Sequence, residues 1–224
     1  CVEKAGIIKP GKPVLIGQLG AEAEAVVRRI AQQKGCPVYA LRERFTQTDA
    51  LPKTNLAGVF QRWNAATAVH ATEILNERFP MTTSITPVLK TIDWPGRWDT
   101  IQLGDKTLIL DATHNPEGAN MLNENLQALI AQTQQKPIII VGTLGEFRAR
   151  SVLKVASRYA RELHLVMPDQ SRATPTDILA SSLPAENTAP VYHRQLNDLF
   201  PAVGVCRPGQ AGDHIVVTGS LYLI

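Results

Sequence analysis

The sequence lacks the long apolar run that a membrane-spanning helix needs. No unbroken apolar stretch exceeds four residues, as in Ile138–Val141, whereas a helical span takes about 20. The first residues also show no signal-peptide pattern. We therefore expect no membrane association.

Cysteine is scarce, and the charge is nearly balanced. The three cysteines, Cys1, Cys36 and Cys206, have no metal-ligand spacing. Unpaired cysteines are typical of a reducing compartment, so we expect a cytoplasmic protein. The net charge is only +3, and there is no Lys/Arg block. No nucleic-acid partner is therefore expected.

What the chain does have is enough apolar material for a core. Hydrophobic residues make up 44% of the 224 residues, which is enough for one large or two smaller domains. The turn-rich stretch 80–96 is the expected seam between two domains. Because the chain starts at Cys1 rather than Met, inside a structured-looking segment, we expect a piece of a longer protein.

Strand and helix patterns alternate along the chain. Short apolar runs predict strands at 13–17, 37–41, 137–141, 164–167, 191–193 and 214–218, and a hairpin joins 101–103 to 107–110. Helical spacing of apolar residues predicts helices over 23–30, 56–75, 119–130, 152–163 and 175–183. This alternation is typical of an α/β fold with a mainly parallel sheet.

The segment Thr107–Ala119 is the most informative in the chain. An apolar strand pattern ends at Asp111, a turn carrying His114 follows, and Asn115 and Pro116 are suited to begin a helix. Asp111 and His114 therefore stand at the carboxyl end of a strand. Ligands bind at this edge in open α/β sheets.

Five segments, taken in order, resemble motifs of the Mur ligase superfamily, and within it folylpolyglutamate and dihydrofolate synthases. The central motif is Asp-x-x-His-Asn-Pro, matched by Asp111–Pro116. The other matching segments are Glu3–Pro10, Leu56–Ala66, Trp94–Arg97 and Thr218–Leu223. The resemblance covers nearly the whole chain.

The resemblance implies two domains. Residues 1–82 correspond to the end of a P-loop ATPase central domain, and residues 83–224 to the Rossmann-like C-terminal glutamate ligase domain. It also implies a function: ATP- and Mg²⁺-dependent addition of L-glutamate to a folate polyglutamate or to dihydropteroate through an acyl phosphate. From the family resemblance we also expect the protein to be a monomer.

No Gly-x-x-Gly-Lys-Ser loop occurs in this chain, and its single Gly-Lys pair precedes Pro13, which has no N–H to donate. We therefore expect the chain to be inactive alone. Two alternatives stay open: a non-catalytic Rossmann-like remnant or binding module, and another Mur-type amino-acid ligase.

The resemblance assigns roles to three residues of the C-terminal part. Arg97 becomes the catalytic and nucleotide-binding cation, since a guanidinium binds phosphate oxygens in pairs. Asp111 becomes a nucleotide ligand, through the ribose or by orienting nearby groups. His114 becomes a catalytic residue that contacts glutamate or the acyl phosphate. The simpler alternatives are a surface ion pair, a helix-entry acid and a turn histidine.

Two further roles fall in the first part of the chain. Asn64 is assigned to nucleotide binding, with Gln61 one turn before it. Lys4 matches a lysine that is carbamylated in the family, and only that modification makes it a metal ligand, because a free ammonium repels Mg²⁺. We expect His70, on the apolar face of its helix, to be a core histidine.

The chain departs from the family pattern at two places. Phe60 replaces the histidine that usually precedes Gln61. Gly145–Arg148 replaces an Asp-Lys-Asp loop, so substrate handling at this loop is expected to differ. Arg172 fits the family arginine that follows the next strand.

Overall fold

The computed structural model describes residues 2–80 and 84–224. The chain divides into two compact units, Cys1–Asp93 and Trp94–Ile224. The boundary expected between residues 82 and 83 lies outside the described residues, and the assignment of residues 1–82 to an ATPase domain stays a prediction.

Within the described residues, the first unit holds a small parallel sheet and four α-helices. Its strands are β1 (Val14–Ile16) and β2 (Val38–Ala40), which pair in parallel. Its helices are α1 (Val2–Ala5), α2 (Ala21–Gln33), α3 (Leu41–Arg44) and α4 (Val59–Asn76). The predicted strands and the two long helices are confirmed, whereas α3 has no periodic pattern and was not predicted.

The second unit is built on a six-stranded sheet. Its strands are β3 (Arg97–Leu103), β4 (Lys106–Asp111), β5 (Ile138–Val141), β6 (Glu162–Leu165), β7 (Val191–His193) and β8 (His214–Thr218). Their order is β3-β4-β8-β5-β6-β7. Only the β3–β4 hairpin is antiparallel, so the predicted α/β fold with a mainly parallel sheet is confirmed.

Helices cover one face of this sheet. They are α5 (Pro116–Thr133), α6 (Glu146–Tyr159) and α7 (Thr176–Ser181). Their apolar side chains pack on alternate strand residues such as Ile109, Ile139 and Val216. The other face is covered by the short α8 (Leu196–Leu199), by Cys206 and by Leu223. No helix in the described ranges is both long and apolar enough to cross a bilayer.

The predicted boundary between α6 and β6 is wrong. The helical spacing of Val155 and Tyr159 predicts that the helix continues to Leu163, but Leu163 lies in β6, which spans Glu162–Leu165 rather than 164–167. The helix ends at Tyr159 because Ala160 adopts an extended backbone. A leucine buried in a strand and a leucine buried in a helix give the same local signal.

The two sheets should differ in local stability. All four residues of β5 are fully buried, and the strand pairs on both sides. In β1, by contrast, only Ile16 is buried, and β1 pairs with β2 alone among the described residues. We expect the β5 amides to exchange hydrogen at least about 100-fold more slowly than those of β1, because they open only with the core. Mass-spectrometric exchange tests this, and equal protection of the two strands would contradict it.

Candidate functional site

Three adjacent strands end side by side at the carboxyl edge of the large sheet. Asp111 of β4 pairs with Thr218 of β8, and Thr218 pairs with Val141 of β5. Because side chains alternate along a strand, these three lie on the face covered by α5–α7. The chain runs from β4 through α5 to β5 while β8 inserts between them, and such a change of strand order opens a crevice in doubly wound sheets.

The turn after β4 is held by short polar contacts. The Thr113 N–H donates to Asp111 Oδ1 at 3.0 Å. The Asn115 side chain accepts from the Gly118 N–H at 2.7 Å and caps α5, whose first residue is Pro116. The cap and the proline that the sequence predicted are both present. They fix the direction of the turn and the start of the helix.

Arg97 is placed by a second turn that docks beside Asp111. Gly96 is buried with φ +73°, and its carbonyl accepts from the Ala112 N–H at 2.8 Å. A Cβ at Gly96 would lie 3.3 Å from Ile224, so glycine serves both the backbone angle and the close packing. A β-bulge follows, with Trp98 at φ +58°.

The structure brings Arg97 and Asp111 together. They are direct partners across the antiparallel pair, and directly opposed residues project to the same face. Burial raises the pKa of Asp111, while the Thr113 hydrogen bonds and the positive charge of Arg97 oppose that rise. Arg97 itself is exposed, and its guanidinium forms no ion pair with Asp93, Asp99 or another carboxylate in the described chain. It is free to bind an anion.

His114 uses one ring nitrogen for the turn. Its Nδ1 lies 2.8 Å from the Ala112 carbonyl. Since a carbonyl only accepts, Nδ1 carries the proton and the neutral ring keeps an acceptor at Nε2. The simpler alternative of a turn histidine is therefore correct for Nδ1, and Nε2 is left for a ligand.

Sequence reasoning missed a close backbone approach at this edge. A Cβ on Gly219 would lie 2.4 Å from the Gly142 carbonyl oxygen, and Gly219 has φ +112°. Beside it, the Thr218 hydroxyl is buried without a hydrogen-bond partner among the described residues. The sequence feature that indicates this approach is a glycine directly after each of the two strands: Gly142 follows Val141, and Gly219 follows Thr218.

Asn64 and Gln61 lie on α4, in the first unit. Asn64 is exposed, and its Nδ2 donates to Gln61 Oε1 at 3.1 Å. Gln61 is only 6% exposed, so it does not occupy a solvated position on the helix. Its amide instead orients Asn64. His70, expected in the core, lies half-buried against Arg44 and Glu73.

Lys4 is exposed on α1. No three His, Cys, Asp or Glu side chains within residues 2–80 and 84–224 are grouped closely enough to hold a metal ion. The described side chains therefore do not form a magnesium site by themselves, and the carbamylation of Lys4 stays a prediction.

The loop that differs from the family pattern, Gly145–Arg148, also lies at the carboxyl edge of the sheet. Gly145 precedes α6 with φ +90°, and Phe147 is 81% exposed. Arg172 is exposed in the turn before Ala173, which bridges to Leu144. Both segments therefore follow strands that end near Thr218, although their roles stay predictions.

The family model of the Mur ligase glutamate ligase domain matches residues 96–221. This chain belongs to the Mur ligase family. The matched range begins at the Gly96–Arg97 turn and includes Asp111, His114 and Thr218, so this edge of the sheet belongs to the shared domain.

Two curated Mur ligase relatives match almost the whole chain. One is the dihydrofolate synthase/folylpolyglutamate synthase of Bacillus subtilis, 26% identical over 99% of this chain and 55% of its own length. Another is the folylpolyglutamate synthase of Lacticaseibacillus casei, 28% identical over 98% of this chain and 54% of its own. The chain thus spans about half the length of these relatives.

Solved structures show the same fold. A folylpolyglutamate synthase of Mycobacterium tuberculosis, complexed with ADP and AMPPCP, has a TM-score of 0.73 at 19% identity and covers 99% of this chain and 56% of its own. A bifunctional synthase of Yersinia pestis, complexed with AMPPNP and a Mn ion, has a TM-score of 0.70 at 22% identity, with coverages of 99% and 53%.

Removing the Asp111 charge should stabilise this Mur ligase domain. Because burial raises the pKa of Asp111, its ionised form costs folding free energy at neutral pH. We expect Asp111→Asn to raise the free energy of unfolding at pH 7 by about 1 kcal/mol. The gain should shrink as the pH falls below that raised pKa, because the wild-type carboxyl is then neutral as well. Urea unfolding at several pH values tests this, and a loss of stability at pH 7 would contradict it.

Proposed function

We propose that this chain forms the C-terminal part of an ATP-dependent ligase that adds L-glutamate to folate polyglutamates, dihydropteroate or both. The observation that supports this best is the unpaired Arg97 guanidinium beside the buried Asp111 carboxyl. The names of the two bacterial relatives support the choice of substrates.

The residues at the carboxyl edge fit a nucleotide. Arg97 would bind phosphate oxygens with its unpaired guanidinium, and Asp111 would accept hydrogen bonds from a ribose or orient the Thr113 N–H. When bound, ATP supplies the phosphoryl group that activates the acceptor carboxylate as an acyl phosphate. The assignment of Asn64 to nucleotide binding rests on the family resemblance and on its amide, which can both donate and accept.

Arg97 stabilises the negative charge that grows in two steps. The first is phosphoryl transfer from ATP to the acceptor carboxylate, and the second is attack of the glutamate amine on the acyl phosphate, which releases phosphate. Fixed donors aimed at developing charge are among the strongest contributions to catalysis. The bulge at Trp98 and the docked Gly96 turn hold the guanidinium in place before substrate arrives, so little reorganisation is needed.

His114 is suited to the amine of glutamate rather than to the acyl phosphate. With Nδ1–H bonded to Ala112, the neutral ring offers only an acceptor at Nε2. It would hold the attacking amine by its N–H and take up the proton that the amine loses. Mg²⁺ belongs to this proposal through the family resemblance, and the Mn ion in the Yersinia structure supports a divalent metal.

The proposal includes a cytoplasmic location and a monomer. Cys36 and Cys206 are both free thiols, which fits a reducing compartment.

Glutamate-dependent ligation tests the function. The gene is read upstream of the Cys1 codon, and the complete product is assayed with ATP, Mg²⁺, labelled glutamate and either dihydropteroate or a reduced folate. We expect ligation with at least one acceptor, and none from residues 1–224 alone. Ligation of a different amino acid would favour another Mur-type ligase. A start codon directly before Cys1, with no turnover, would favour a non-catalytic remnant.

A further inference from the structure

A polar cavity lies on the face of the large sheet opposite to Asp111. Leu163 and Leu165 of β6 pack under α5–α7, so His164 between them projects to the other face. There it borders a cavity of about 400 Å³. The residues lining it are His164, Arg194, Asp198, Leu199, Arg207 and Pro208.

Two guanidinium groups line this cavity without a carboxylate partner. Arg194 and Arg207 are exposed, and within the described ranges neither forms an ion pair. Arg161, by contrast, binds both oxygens of Asp213 at 2.9 and 2.6 Å. Two free guanidiniums at one cavity form an anion-binding pattern.

Hydrogen bonds fix the backbone positions of Arg194 and Arg207. The Arg194 N–H donates to the Leu165 carbonyl at 3.0 Å, and the Arg207 N–H donates to the Leu199 carbonyl at 2.9 Å. The Arg194 guanidinium also lies 5.1 Å from the centre of the Tyr192 ring. The side chains therefore extend from anchored backbone rather than from a free loop.

His164 adds a titratable side chain to the wall of this cavity. Its side chain is only 7% exposed, and neither ring nitrogen has a hydrogen-bond partner among the described residues. Glu162 Oε2 approaches Nε2 only to 3.4 Å. Burial lowers the pKa of His164, Glu162 opposes this, and the charge of Arg194 lowers it further. An anion held beside Arg194 would therefore act on the His164 ring through its charge and favour the protonated form.

We propose that this cavity binds a phosphate monoester of a small hydroxylated molecule. Arg194 and Arg207 hold the phosphate, the Asp198 carboxylate accepts from a hydroxyl, and Leu199 and Pro208 contact the carbon skeleton. An ester is favoured over a bare anion because the volume falls in the range of small-molecule sites.

Calorimetric titration of the 224-residue chain with ribose 5-phosphate, at constant ionic strength, tests the site. We expect saturable binding, weakened at least about tenfold in the Arg194→Gln/Arg207→Gln double variant, because paired guanidinium–phosphate bonds are lost. The matched control is Arg158→Gln, an exposed arginine whose guanidinium also lies over a tyrosine ring, at 5.5 Å. It should bind like the wild type. Equal weakening in the control and the double variant, or no saturation by about 10 mM ligand, would overturn the proposal.

Ribose and inorganic phosphate distinguish the contribution of the sugar hydroxyls from that of the phosphate group. Ribose should not bind measurably, and inorganic phosphate should bind more weakly than the ester. Asp198→Asn should reduce the preference for ester over phosphate while the protein stays folded, because Asp198 is exposed. Equal affinity of the wild type for the ester and for inorganic phosphate would overturn the proposal that the cavity recognises a hydroxylated carbon skeleton.

The His164 imidazole gives a readout at the site itself. A nearby anion favours the charged ring, so saturating ribose 5-phosphate should raise the pKa of His164 in a nitrogen NMR titration. His114 and His214 in the same spectra should not move by a similar amount. An unchanged His164 pKa under conditions where calorimetry shows binding would place the ligand elsewhere.

Discussion

Replacing Arg97 by alanine is expected to lower the rate of ligation by roughly a hundredfold or more in the full-length ligase that we propose. The loss follows from removing one fixed donor to negative charge in the transition state. Because Arg97 is exposed, the substitution should lower the free energy of unfolding only slightly, through the lost attraction to the Asp111 carboxylate. Steady-state kinetics with glutamate and acceptor saturating measures the effect on kcat.

Two variants sharpen this test. Arg97→Lys keeps the charge but not the paired geometry, so its rate should fall between those of the wild type and Arg97→Ala. Arg158→Ala removes an exposed arginine at the far end of α6 and should leave the rate unchanged. Wild-type turnover in Arg97→Ala would remove this residue from the site.

Gly219→Ala is expected to destabilise the second unit by roughly 3 kcal/mol or more. The added methyl group would meet the Gly142 carbonyl oxygen at 2.4 Å, and φ is +112°. Strands β5 and β8 would have to separate at this edge to admit it. Urea unfolding followed by circular dichroism measures the loss.

Gly104→Ala is the matched control for that substitution. Gly104 also has positive φ, at +64°, but a Cβ there meets nothing within 4 Å. Its cost should be only about 1 kcal/mol, for the backbone angle alone. Equal losses in the two variants would show that crowding against Gly142 is unimportant.

Local signals were enough to predict most elements of the large sheet. The Asn115–Pro116 start of α5 and the hairpin around Gly104 appear as predicted, because capping and turn chemistry act over a few residues. The four-residue helices α1, α3 and α8 are not predicted, since one turn of helix has no periodicity. Their formation depends on packing that the local sequence does not encode.

The candidate site was only partly accessible from the sequence. The family resemblance pointed to Arg97 and Asp111, but their pairing depends on the register of β3 and β4 and on the bulge at Trp98. The burial of Gln61 and the unpartnered Thr218 depend on tertiary packing. His164 seemed isolated in the sequence, since its cavity neighbours Arg194 and Arg207 follow 30 and 43 residues later.

The position of β8 has a consequence for biosynthesis. This strand follows every other strand of its sheet in the chain, yet it separates β4 from β5 at the centre. During translation, the hairpin and the β5–β7 half have no shared hydrogen-bonded neighbour until residues 214–218 leave the ribosome. A premature stop before this segment would leave two exposed apolar edges and create a target for chaperones and proteases.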